Sequence, residues 1–177
     1  MGLGSRMKRI DNELFAKLCE KADESPRRRA HHLIHDSHDE PVQRMLIALQ
    51  PGTYFRPHRH SRPAKWELVL VLRGIAAWIG FDDQGRIAGR TEAGAHRDCK
   101  GLEYPPGTWH SLVCLRPDTV IFECKPGPFS PVQPEDFAPW TPEEGSPDAA
   151  HWVRWMVRAM PGDRFDQPGG RGRTALP

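Results

Sequence analysis

Apolar positions along the chain follow two rhythms. Leu14, Phe15, Leu18, Cys19 and Ala22 recur at helical spacing, with Glu13, Lys17, Glu20 and Lys21 on the other side. Asp11 stands ahead of them as an N-cap and Ser25-Pro26 stops the run, which predicts a helix from Asp11 to about Ala22. From Val42 the rhythm changes to runs of strand length, at residues 42–49, 53–57, 66–72, 75–81, 86–91, 102–104, 110–115 and 119–125. Leu68 to Leu72 contains no polar residue, so both faces of that strand are expected to be covered. Pro51-Gly52, Arg73-Gly74 and Asp82-Asp83-Gln84-Gly85 read as turns, and residues 92–100 as a polar loop. Short strands at this spacing predict an all-β fold, an antiparallel jelly-roll barrel.

Past Lys125 the chain becomes proline-rich and acidic to Pro147, which reads as a segment running over the surface. Ser146-Pro147 is a helix start, and Trp152, Trp155, Met156, Ala159 and Met160 form an apolar face at helical spacing. That helix is expected to dock on the barrel or on a partner subunit, and Pro161-Gly162 ends it. The organisation expected is an N-terminal extension (1–10), a helix and histidine-rich connection (11–40), the barrel (41–130), an extension with the C-terminal helix (131–160) and a tail (161–177), disordered from Gly169.

Composition narrows the function. The chain has 177 residues with 18 prolines and 16 glycines, too many turn-formers for a helical bundle. A net charge of +2 is too mild for a nucleic-acid binder, and Arg27-Arg28-Arg29 and Arg171 to Arg173 read as solvated clusters. No apolar run suits a bilayer or a signal peptide, which points to a cytoplasmic protein with no membrane partner. The four cysteines, Cys19, Cys99, Cys114 and Cys124, form no CxxC pair and are expected as thiols. No GxGxxG, Walker A or GxSxG element is present, which removes support for a Rossmann dehydrogenase, a P-loop enzyme or a serine hydrolase.

The chemistry concentrates in histidines. His58 and His60 are two apart, so on an extended segment they share a face. Glu67 opens the following strand, and Pro105-Pro106-Gly107-Thr108-Trp109-His110 is a turn delivering a third histidine to another strand. Three neutral imidazoles and a carboxylate suit one divalent transition ion, iron, manganese, nickel or zinc, with positions left for water or substrate. Glu123 and Lys125 alternate along the last strand and share a face, either as an ion pair or with Glu123 as a proton-transfer group. Arg44, Arg56 and Lys65 lie near the ligands and would form a cationic rim for an anionic or sugar-like small molecule, while Tyr104 and Trp109 are either core or stacking platforms. His31, His32, His35 and His38 form a polar connection, a second metal tract, or a segment folded over the barrel mouth.

Gly52, His58, His60, Glu67 and Gly74 resemble the first motif of the cupin superfamily, although six residues separate His60 from Glu67 where three or four are usual. Pro105, Gly107 and His110 resemble its second motif, with Cys114 in place of an asparagine and the leading glycine displaced to Gly101. Asp11 to Phe15, Ser25-Pro26-Arg27, Val42-Gln43-Arg44, Lys65-Trp66-Glu67 and Glu123 to Phe129 further resemble the WbuC family of cupin-fold metalloproteins. That resemblance, over roughly Asp11 to Glu144, implies a cupin jelly roll, a metal site and an association with bacterial surface-polysaccharide sugars, and the apolar spacing adds the flanking N- and C-terminal helices. The functions in view are Lewis-acid isomerase or epimerase chemistry on a sugar or sugar nucleotide, an iron-dependent oxygenase, and a non-catalytic metal-dependent binding or sensor module. A structural metal is a further alternative, and the expected assembly is a homodimer.

Overall fold

The computed structural model describes residues 7–165, so the first six residues of the expected N-terminal extension and the expected disordered tail from Gly169 lie outside the described residues. Helix α1 spans Asn12–Glu24, and the Asp11 carboxylate accepts the Leu14 N–H at its start. Eight strands follow: β1 Arg29–Leu33, β2 Val42–Leu49, β3 Glu67–Arg73, β4 Ile75–Phe81, β5 Ile87–Gly94, β6 Gly101–Tyr104, β7 Trp109–Cys114 and β8 Thr119–Pro126. Helix α2 spans Ala149–Met156. The strands pair antiparallel into a five-stranded sheet, β1-β2-β8-β3-β6, and a three-stranded sheet, β5-β4-β7. This is the antiparallel jelly roll with two flanking helices expected from the sequence, with its strands paired as two facing sheets and not around a closed barrel.

Side-chain alternation fills three apolar layers. Met45, Ile47, Leu49, Val69 and Ile121 meet Ala76, Trp78, Leu112 and Cys114 between the sheets. Leu46, Ala48 and Val120 point the other way and pack under Phe15, Leu18, Cys19 and Ala22 of α1. On the far side, Ala77, Ile79, Phe81 and Val113 of the small sheet pack against Trp152, Val153 and Met156 of α2. Gly74, between β3 and β4, has φ +76° and sits where a Cβ would lie 2.3 Å from Thr119 Oγ1, so the turn requires glycine.

Several boundaries differ from the sequence reading. The histidine-rich connection begins as strand β1, because Arg29, His31 and Leu33 alternate toward the sheet interior opposite Leu49, Ile47 and Met45. Residues 53–57 form no strand, while β5 continues to Gly94 into the expected loop. The strands covered on both faces are β7, β4 and most of β2, whereas on β3 Leu72 is 37% exposed. Helix α2 starts three residues after Ser146 and stops at Met156, leaving Met160 exposed. It docks on the chain's own small sheet.

Candidate metal centre

One backbone contact builds the centre. His58 N–H donates to His110 C=O (3.0 Å) and His110 N–H to His58 C=O (2.9 Å), so two residues far apart in sequence stand directly opposite. Their rings lie 4.6 Å apart, and His60, two residues on, places its ring 5.0 Å from His58 and 5.6 Å from His110. One ligand nitrogen from each of the three falls within 4.8 Å of the others.

Protonation follows from the hydrogen bonds. His58 Nδ1 donates to Arg56 C=O (2.9 Å) and His110 Nδ1 to Thr108 C=O (2.8 Å). A carbonyl only accepts, so each Nδ1 carries the hydrogen and each Nε2 keeps a lone pair. His110 Nε2 is buried without a protein partner, as a ligand nitrogen would be. Burial holds His58 down to about 3, with the neighbouring His110 acting in the same direction, and burial also lowers His110. Both rings are neutral at ordinary pH, the form that binds metals. The donor set therefore fits a divalent transition ion.

Glu67 lies beside the three imidazoles, its Oε2 2.8 Å from His60 Nε2. Two ligand atoms at right angles and about 2.1 Å from one ion lie about 3 Å apart, so this spacing suits a shared ion as well as a hydrogen bond. Burial alone would raise the Glu67 carboxyl, but Lys125 and the His60 hydrogen bond hold it well below the usual carboxylate range. Lys125 Nζ stands 3.7 Å from Glu67 and 2.6 Å from Glu123. Burial, then the Glu67 charge, push Glu123 up to about 7 against the pull of Lys125. Tyr104, cross-strand from Glu67, stacks on His110 at 4.3 Å, and burial with the two carboxylates keeps its phenol protonated.

These groups open into a cavity of about 500 Å³ between the sheets. Its wall includes Arg56, Glu123, Lys125 and Tyr104 among the residues singled out in the sequence. Arg44 lies elsewhere, on the opposite face of β2 and paired with Glu40. Lys65 is turned into the protein, donating to Pro128 C=O (2.5 Å) and Ser130 Oγ (3.2 Å). Trp109 faces away from the cavity into the layer under α2 and donates to Asp83 (3.0 Å). His31, His35 and His38 all reach the cavity, which makes the histidine tract part of its wall.

Two features escaped the sequence reading. Arg29 is not a solvated cluster residue: it is buried, sits 4.4 Å over the Phe55 ring and pairs with Glu144 at 2.6 Å. The alternation Arg29, His31, Leu33 was the available signal. Asp136, in a 3-10 turn at Pro134–Asp136, clips the histidine segment. Its carboxylate accepts from Arg59 Nε (3.0 Å), Ser61 Oγ (2.6 Å) and Ser61 N–H (3.3 Å), while its C=O takes the Arg59 N–H (2.9 Å).

A model described as a domain of unknown function (DUF6016) matches residues 10–93. No curated protein matches the chain. Among solved structures, KdgF from Halomonas sp. is 16% identical, with 58% of this chain and 80% of that one covered at a TM-score of 0.46. An RmlC-like cupin protein from Desulfovibrio desulfuricans is 15% identical (71% and 96% covered, TM-score 0.44). A cupin 2 conserved barrel domain protein from Rhodopseudomonas palustris is 17% identical (71% and 72% covered, TM-score 0.43).

Proposed function

We propose that this chain is a metal-dependent cupin that binds a small molecule between its sheets, with His58, His60, Glu67 and His110 holding one divalent transition ion. The observation that carries the reading is the convergence of three imidazoles, two of them with Nδ1 tied to the chain's own carbonyls. An ion there supplies Lewis acidity toward a carbonyl or hydroxyl oxygen. The chain's residues do the rest. Glu123 is the proton-transfer group: buried, on the cavity wall and raised to about 7, it exchanges a proton near neutral pH. Lys125 sits between Glu123 and Glu67 and keeps Glu67 ionised. Tyr104 fixes the His110 ring by stacking and offers its hydroxyl to the cavity. The apolar wall, including Met45, Ile47 and Leu112, restricts water.

The finer assignment belongs to the same proposal and rests on the sequence resemblance: a WbuC-type protein acting on a sugar or sugar nucleotide by isomerase- or epimerase-type chemistry. Metal analysis of protein purified without nickel-affinity resin tests the core of it. About one equivalent of transition metal is expected, and His58→Ala with His110→Ala should abolish it. A double variant that folds and keeps a full equivalent overturns the ligand assignment.

A further inference from the structure

The cavity wall has an uneven balance of charge and hydrogen-bonding capacity. Four cationic side chains of lysine or arginine line it: Arg27, Arg29, Arg56 and Lys125. Arg27 and Arg29 share Glu144, at 2.8 and 2.6 Å, and Lys125 is matched by Glu123 and Glu67. Among the described residues, Arg56 has no carboxylate partner. Its Nε reaches only the Thr141 hydroxyl (3.3 Å), and its guanidinium lies 5.1 Å from the Phe137 ring centroid. Phe137 in turn stands 6.2 Å from the His58 ring, so the unmatched cation and the imidazole cluster flank the same aromatic side chain.

The unused hydrogen-bonding groups lean the same way. Trp78 Nε1, Tyr104 Oη and His35 Nε2 are buried on the cavity wall without a protein partner, and each residue is over nine-tenths buried. His35 Nδ1 lies 2.9 Å from the Arg44 amide nitrogen and 2.8 Å from the Arg44 carbonyl oxygen, so its Nε2 serves as donor or acceptor according to the tautomer. Trp78 Nε1 is a donor, and the Tyr104 hydroxyl can donate. The orphan acceptors are Gln43 Oε1 and the His110 Nε2 lone pair already assigned to the imidazole cluster. An uncompensated guanidinium with the Trp78 and Tyr104 donors, and with Gln43 Oε1 as the acceptor outside the imidazole cluster, in a mostly apolar cavity of about 500 Å³, complements an anion with extra acceptor oxygens and a hydroxyl hydrogen to give.

We infer that the ligand of this cavity is a small hydroxy acid, with its carboxylate on Arg56 and its remaining oxygens toward the imidazole cluster and the orphan donors. The inference rests on the functional reading above for the location of the site and adds the ligand class. Neutral sugars and alcohols of the same size leave the guanidinium unmatched and bind more weakly. Anions lose affinity as salt rises.

Calorimetric titration of the full chain with matched pairs tests this: D-gluconate against sorbitol, D-glucuronate against D-glucose, and L-lactate against 1,2-propanediol. At least one acid is expected to bind tenfold or more tightly than its neutral partner. Arg56→Gln should lose that preference and Arg56→Lys should keep part of it, with thermal midpoint and metal content unchanged in both. The proposal is overturned if no acid outbinds its neutral partner, or if folded Arg56→Gln keeps the full preference. Metal content measured on the same samples separates the two readings. A chain with bound metal and no acid preference refutes the ligand class alone, and a chain without metal that still prefers acids through Arg56 refutes the metal reading alone.

Discussion

Individual residues in this protein are set by partners remote in sequence. Arg29 is charged, buried and tied to Glu144, whose own carboxyl is lowered: burial pushes it up, and the Arg27 and Arg29 contacts outweigh that push. A carboxyl held lower in the folded chain than in the unfolded one adds stability at neutral pH, and that share disappears as pH falls from the unfolded value near 4.5 through the folded one. The thermal midpoint is therefore expected to fall on acidification below about pH 4.5, and Glu144→Gln should lower the neutral-pH midpoint while flattening that acid slope. Thermal melts of both chains across pH 3–7 check it, and equal slopes would show that Glu144 is not responsible. The same residues show why part of the site was hidden. His58 and His60 announce themselves through a spacing of two, and His110 through its turn. The Arg29–Glu144 pair has no such local signature, because its two members meet only once β1 and the segment before α2 are both in place.

At the scale of elements, strand β2 was legible to its ends, Val42–Leu49, because the apolar run Met45 to Leu49 is extended by Val42 on one side and closed by Pro51-Gly52 on the other. Strand β4 was equally legible. The misreadings arose where backbone pairing overrode side-chain character. Strand β1 is polar on average, yet its backbone pairs with β2 over all five residues. The proline-rich stretch after β8 read as a surface run, yet Asp136 holds the histidine segment from both sides of Ser61 and Arg59, and Ala138 N–H donates to Pro57 C=O (2.9 Å). Asp136→Ala is expected to weaken metal affinity by about 10–100-fold without removing any ligand, the usual effect of losing a group that orients ligands. Competition with a chromophoric chelator measures it, and an unchanged affinity would show that residues 57–61 hold their shape without the clip.

The whole molecule is a stack of four layers: α1, the large sheet, the small sheet and the C-terminal segment ending in α2. Among the described residues no helix is long and apolar enough to cross a membrane. The outermost layer covers the apolar back of the small sheet and also supplies Asp136 and Phe137 to the end that carries the three imidazoles. Truncation after Phe129 should therefore abolish both properties at once, giving a chain that aggregates or melts at least 10 °C lower and binds no stoichiometric metal. Expression of the truncated chain with light scattering and metal analysis is the check, and a soluble, fully metallated product would show that the layer is dispensable.

The reciprocal amide contact between His58 and His110 has a kinetic corollary. The chain's own main chain fastens together the two distant stretches that carry the imidazoles. On the proposed metal reading, one divalent species is expected to replace another on the folded protein, at a pace governed by ligand dissociation and solvent access rather than by unravelling of the sandwich.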